Sequence, residues 1–177
     1  MNDRSVAAYQ RAAQAAIAAA NPIEPVRLTV ISDSMWPLLR TGDTIRVQPI
    51  EPSAIRVDEV VVVRRGAELI THRLLAIDGE QWVTGGDNAV LVDAAVSRTA
   101  CLGQVIAIEG GGQPIDIAPV RWAQLNHRLG QIGRVHWRIN RAVGVTTTSS
   151  RLMIRFAWLI ALPLRAVAHG LVLRLRQ

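Results

Sequence analysis

DEVVVVRR (58–65) and ELITHRLLAI (68–77), with Gly66 at their junction, decide the fold. Both are short β-type runs, and the glycine sits where a turn is expected. Working outward, VRLTVI (26–31) and TIRVQ (44–48) precede them, separated by the loop SDSMWPLLRTGD. QWVT (81–84) and LGQVIAIEG (102–110) follow. Asp78-Gly79, Gly85-Gly86 and Gly110-Gly111-Gly112 mark further turns. Many short strands at close turn spacing predict a mainly β, antiparallel domain over residues 22–118 rather than βαβ units.

The flanks have a different texture. DRSVAAYQRAAQAAIAAA (3–20) is an alanine-rich helix stopped by Asn21-Pro22, so residues 1–21 form an N-terminal helical segment. Gln10, Arg11 and Gln14 interrupt it, unlike the continuously apolar core of a secretory signal, and it is too weakly apolar to span a bilayer. A surface helix is the expectation. After Pro119, Trp122, Leu125, Leu129, Ile132, Val135 and Ile139 recur at three- and four-residue steps, which predicts a helical tail over 119–177.

Charge divides the chain at the same place. All 20 basic residues are arginine, and lysine is absent, which excludes a lysine base, a Schiff base or a P-loop lysine. Residues 1–118 carry ten arginines against 14 acids, whereas 119–177 carry ten arginines and no acid. A near-neutral folded domain is thus followed by a basic segment suited to phosphates. Cys101 stands alone, and His72, His127, His136 and His169 are scattered, so no metal site and no cofactor are expected.

The chemistry concentrates in Ser32-Asp33-Ser34-Met35-Trp36-Pro37-Leu38-Leu39 and the Gly42-Asp43 that follows. A serine leaving a strand before Met-x-Pro is a hydroxyl on a turn, and Pro37 stiffens that turn. Alone it would read as a polar loop with a hydrophobic plug. Two further boxes lie downstream in order: Thr71-His72-Arg73, then Gly86-Asp87-Asn88.

Together these boxes, over about residues 26–109, resemble the type I signal peptidases and their relatives in the wider signal-peptidase and LexA-like serine peptidase clan. With no lysine, the Ser/Lys dyad of the bacterial branch is impossible. His72-Arg73 instead resembles the endoplasmic-reticulum and archaeal branch, which also has an aspartate six residues after the box aspartate, here Asp93. The resemblance therefore implies Ser34 as nucleophile, His72 as general base and Asp93 as its orienting partner. It also implies an oxyanion hole from the Ser34 backbone N–H and the Ser32 hydroxyl. Met35, Pro37, Gly42, Asp43, Asp87 and Asn88 are then structural residues near the site. Asp87 is left as the other carboxylate able to orient His72, and Asp33 departs from the small glycine common at its position.

The chemistry is self-consistent. A serine hydroxyl becomes a useful nucleophile when an adjacent base takes its proton. An imidazole can do so near neutrality, and a carboxylate behind it fixes its tautomer.

The expected function is a serine endopeptidase cleaving a signal, leader or precursor peptide. The alternatives are an inactive β binding domain or a LexA-like regulatory protease. The latter needs a DNA-binding domain for which the 25 residues before the β domain are too few. The tail suggests where the enzyme works. Leu152 to Leu173 is long enough to span a membrane, but Arg165, His169 and Pro163 fall inside it. An interfacial helix on an anionic membrane surface is the expectation, in preference to nucleic acid. If the segment did span, the arginine distribution would keep the catalytic domain on the cytoplasmic side, with the exported side as the alternative.

Overall fold

A computed structural model describes residues 3–19, 21, 24–109, 115–116, 120–143, 167, 170 and 172. Helix α1 (Asp3–Ala19) leads into β1 (Val26–Thr29), β2 (Thr44–Gln48), β3 (Val60–Arg65), β4 (Glu68–Asp78), β5 (Gln81–Gly85), β6 (Val96–Ser97), β7 (Cys101–Glu109) and β8 (Ile115–Asp116). Helix α2 (Val120–Val143) follows. All strand pairings are antiparallel, in one eight-stranded sheet of order β1-β2-β7-β3-β4-β5-β6, with β8 on β7. The mainly β fold expected from the sequence is the one observed.

The four-valine run explains why β3 lacks polar alternation. Side chains alternate across a strand, and β3 is covered on both faces. Val60 and Val62 join one apolar cluster with Ile45, Val47, Val105, Met35, Leu38 and Leu39. Val61 and Val63 join the other with Ile55, Leu74 and Trp82. Burying such an aliphatic side chain contributes roughly 1.5–3 kcal/mol. β3 therefore anchors the sheet, with β4 and β7 on either side. Gly66, at φ 61°, turns the chain from β3 into β4.

Both helices close the first cluster. Ala13 and Ile17 enter it from α1, and Trp122, Leu125 and Leu129 from α2. The apolar face expected along α2 holds only in its first half. Val135 is 56% exposed, and His136 and Asn140 are buried instead. The cause is the way α2 docks. Gly130 and Gly133 lie so close to Asp58 and Leu75 that a Cβ at either would collide with those side chains. Asp58 then receives His127 Nδ1 at 2.8 Å and the Arg134 guanidinium. Polar anchoring at Asp58 thus sets the helix rotation where an apolar seam was expected.

Among the described residues no helix is long and apolar enough to cross a membrane. The stretch 152–173 expected to be interfacial lies outside the described residues, apart from Val167, Gly170 and Val172. Val172 is fully buried in the first cluster.

Candidate active site

The loop after β1 is held by its own side chains. The Asp33 carboxylate accepts the Thr41 amide at 2.9 Å, and the Asp43 carboxylate accepts the Arg40 amide at 2.8 Å. Val30 and Gly42 pair across the loop's base, with Gly42 at φ 93°. Asp33 thus has a structural task. The Thr41 hydrogen bond holds its carboxyl below the usual range. Met35, Leu38 and Leu39 are buried, so the Met-x-Pro-x-Leu segment is a plug in the core. Trp36-Pro37 is a cis peptide. Ser34 is carried on this plug at the rim of the domain.

Opposite it stands β4. His72 Nε2 lies 3.0 Å from Ser34 Oγ, and His72 Nδ1 lies 2.6 Å from Asp93 Oδ2. Thr84 Oγ donates to the same carboxylate oxygen at 2.6 Å, and Arg65 Nη1 lies 3.6 Å from the other. The Asp93 backbone is also fixed, its N–H donating to Thr84 O at 3.0 Å. Three residues distant in sequence therefore form one continuous hydrogen-bonded line. His72 and Asp93 side chains are each only 11% exposed. Such shielding strengthens the electrostatic coupling along the line.

Asp87, the rival orienting carboxylate, is turned elsewhere. It takes the Arg73 guanidinium bidentately, at 2.8 and 2.6 Å. Asp93 is the residue that contacts the imidazole. The Gly-Asp-Asn loop supports the serine from behind: the Asn88 amide donates to Ser34 O at 2.8 Å, and Asn88 Nδ2 to Asp33 O at 3.2 Å. A Cβ on Gly86 would fall 2.5 Å from Ser34 O and 3.0 Å from His72 Nε2, so only glycine fits between the Ser34 carbonyl and the His72 ring. Ser32 Oγ lies 3.3 Å from Ser34 Oγ, close to where charge would develop during attack at Ser34. Burial pushes the Cys101 thiol up to about 11, which keeps it a protonated thiol near neutrality.

Burial raises the Asp93 pKa, but the His72 hydrogen bond and charge, the Thr84 hydroxyl and Arg65 outweigh it. The carboxyl therefore ends below its ordinary range. The folded chain holds this carboxylate ionised more readily than the unfolded chain does. That contribution to stability is fully present above the unfolded value, about 3.9, and is lost as pH falls through the lower folded value. Asp93→Asn is accordingly expected to flatten the acid-side decline of stability, read by urea unfolding between about pH 6 and about pH 3. An unchanged slope would contradict the assignment.

A cleft of about 430 Å³ opens beside Ser34 and His72. One wall is the chain from Leu28 to Ser32, the other runs from Glu68 to His72, and α1 contributes Val6, Tyr9 and Gln10. The volume lies within the range of small-ligand sites. Sequence reasoning missed this role of α1. The clue was there, since Gln10 and Gln14 interrupt an otherwise alanine-rich helix, but a polar side chain on a helix does not reveal which backbone it will meet. No known family profile matches the chain, and no curated protein is significantly similar to it.

Proposed function

We propose that the protein is a serine endopeptidase resembling signal peptidase, cleaving a leader, signal or other precursor peptide by acyl transfer. The observation that carries this reading is the line from Ser34 to His72 to Asp93, at 3.0 and 2.6 Å. Ser34 Oγ attacks the scissile carbonyl carbon while His72 Nε2 takes the hydroxyl proton. The imidazolium is stabilised by Asp93, which holds the Nδ1 proton and is not itself protonated. The tetrahedral oxyanion is met by the Ser34 N–H and the Ser32 hydroxyl. Collapse breaks the C–N bond, and the departing amine takes the proton from His72. Water, deprotonated by the same imidazole, then hydrolyses the acyl-serine and restores both residues.

The exposed arginines of α2, Arg128, Arg138 and Arg141, together with the solvent-facing Val135, favour work at an anionic membrane surface. Arg141 stacks over Trp137 at 5.8 Å, which keeps a cation beside an aromatic ring. On this reading the catalytic domain sits at the cytoplasmic face.

The test is covalent. A small fluorophosphonate is expected to form one adduct, mapped by mass spectrometry to Ser34, and none in Ser34→Ala or His72→Ala. An adduct elsewhere, or equal labelling of the variants, would sink the proposal.

A further inference from the structure

The cleft beside Ser34 has two strand edges as its walls. Among the described residues β1 pairs with β2 alone and is an end of the sheet. β5 covers β4 only from Arg73 onward, so among the described residues no strand lies on that side of the stretch Glu68–His72. An uncovered strand edge offers main-chain N–H and C=O groups to any extended chain. Here both edges are already engaged, and by the same helix.

The Leu69 amide donates to Gln10 Oε1 at 2.6 Å, and Gln10 Nε2 donates to Leu69 O at 3.3 Å. A carboxamide has the same donor and acceptor as a peptide group, so Gln10 completes the two-point pairing that a neighbouring strand would make. Across the cleft the Thr29 amide donates to the Tyr9 hydroxyl at 2.6 Å, and that hydroxyl donates to Thr29 O at 2.8 Å. Gln14 Nε2 adds a bond to Ala67 O at 3.0 Å. Adjacent residues of α1 therefore satisfy both main-chain groups of one residue on each wall.

We propose that α1 is an internal plug: Tyr9 and Gln10 occupy the backbone-pairing positions of an extended peptide substrate, which must displace the helix to reach Ser34. The proposal rests on the serine-peptidase reading of Ser34. Thr29 and Leu69 cannot pair with α1 side chains and with a substrate strand at once, so the two occupants exclude each other. The cost of displacement is contained, because the residues α1 buries are few: Gln10, Ala13 and Ile17. Space remains beside Ser34 with the helix in place, since the 430 Å³ cleft includes Ser34, His72 and the plug residues together. A small phosphonylating reagent thus reaches the serine past α1, whereas an extended chain does not.

That difference gives the experiment. The full chain and the double variant Tyr9→Phe/Gln10→Ala are compared with a small fluorophosphonate and with a pool of internally quenched decapeptides. Phosphonate labelling of Ser34 should be equal in the two. Decapeptide hydrolysis should rise in kcat/KM by about threefold to tenfold for each hydrogen bond removed, two being lost with each anchor. Equal labelling with peptide hydrolysis unchanged or slower would overturn the plug and make α1 a fixed wall of the cleft.

Absence of labelling in both chains would instead overturn the peptidase reading. Hydrogen exchange then reads the plug by itself: the decapeptide pool should speed exchange in α1 and slow it at Thr29 and Leu69. Exchange unchanged by the pool would overturn it.

Discussion

Ser34→Ala and His72→Ala are each expected to lower the rate of peptide hydrolysis by about 10⁶-fold, and the double variant to be no worse than either. The reason is that, in the proposed mechanism, the two side chains share one proton. With Ser34 Oγ 3.0 Å from His72 Nε2, the hydroxyl is activated only while the imidazole accepts from it. Removing either partner removes the same transition state, so the losses do not add. In serine peptidases such non-additivity is the signature of residues acting as a unit. Asp93→Asn should cost less, because the imidazole and the serine remain. An amide in place of the carboxylate can favour the wrong imidazole tautomer, and in an analogous triad that lowers kcat about 10⁴-fold. Thr84→Val leaves Asp93 in place and removes the one hydroxyl donating to the oxygen that holds His72. It should lower kcat with little change in KM, since the carboxylate would be less firmly aimed. Circular dichroism and urea midpoints would establish that each variant is folded. Additive losses in the Ser34/His72 double variant would mean that the two residues act independently, which the mechanism does not permit.

The site was more legible than the fold's details because chemistry restricts residue type while packing does so loosely. Ser34, His72 and Asp93 were named by the resemblance of the three boxes to the signal-peptidase clan, and the structure brings all three together. The rivalry between Asp93 and Asp87 was not resolvable from sequence, since both are carboxylates within six residues of each other. It is settled by the Arg73 guanidinium, which claims Asp87. The strands were legible from their β-branched runs, but VRLTVI was read two residues too long. Val30 leaves the ladder to pair with Asp43 and Gly42 at the base of the serine loop. Val135 fitted the helical period and is nevertheless solvent-facing, because Asp58, His127 and Arg134 fix the rotation of α2. Two glycines inside a helix were the available hint of close docking, and their partners, Asp58 and Leu75, lay about sixty to seventy residues away. The role of α1 was the least legible, because side chain to backbone bonds between distant segments leave no periodicity.

Arg73 carries the second large effect. Its side chain is fully buried, and it holds four acceptors: both oxygens of Asp87, the Asp58 carbonyl at 2.7 Å and Asn126 Oδ1 at 2.9 Å. It thereby ties β4, the Gly-Asp-Asn loop, the chain before β3 and α2 to one planar group. Arg73→Met is expected to destabilise the fold by about 3–5 kcal/mol, because the Asp87 carboxylate would be left buried without a counter-charge. That is a large share of the roughly 5–15 kcal/mol by which domains are stable, so partial unfolding is an expected outcome. Asp87→Asn keeps an acceptor for one N–H and should cost less. Arg73→Met/Asp87→Leu removes both charges and should recover part of the loss, though the acceptors on Asp58 and Asn126 stay unpaired at about 1–3 kcal/mol each. Arg73→Lys separates charge from geometry. An ammonium keeps the charge but cannot present the guanidinium's bidentate fork while also reaching Asp58 and Asn126. If charge alone mattered, urea unfolding would find the lysine variant as stable as the wild type. A substantial loss there would show that the residue beside the histidine is arginine because four acceptors on three other segments require its shape. The same loss should reach catalysis, because Asp87 lies between Gly86, packed against Ser34 O and His72, and Asn88, whose amide holds Ser34.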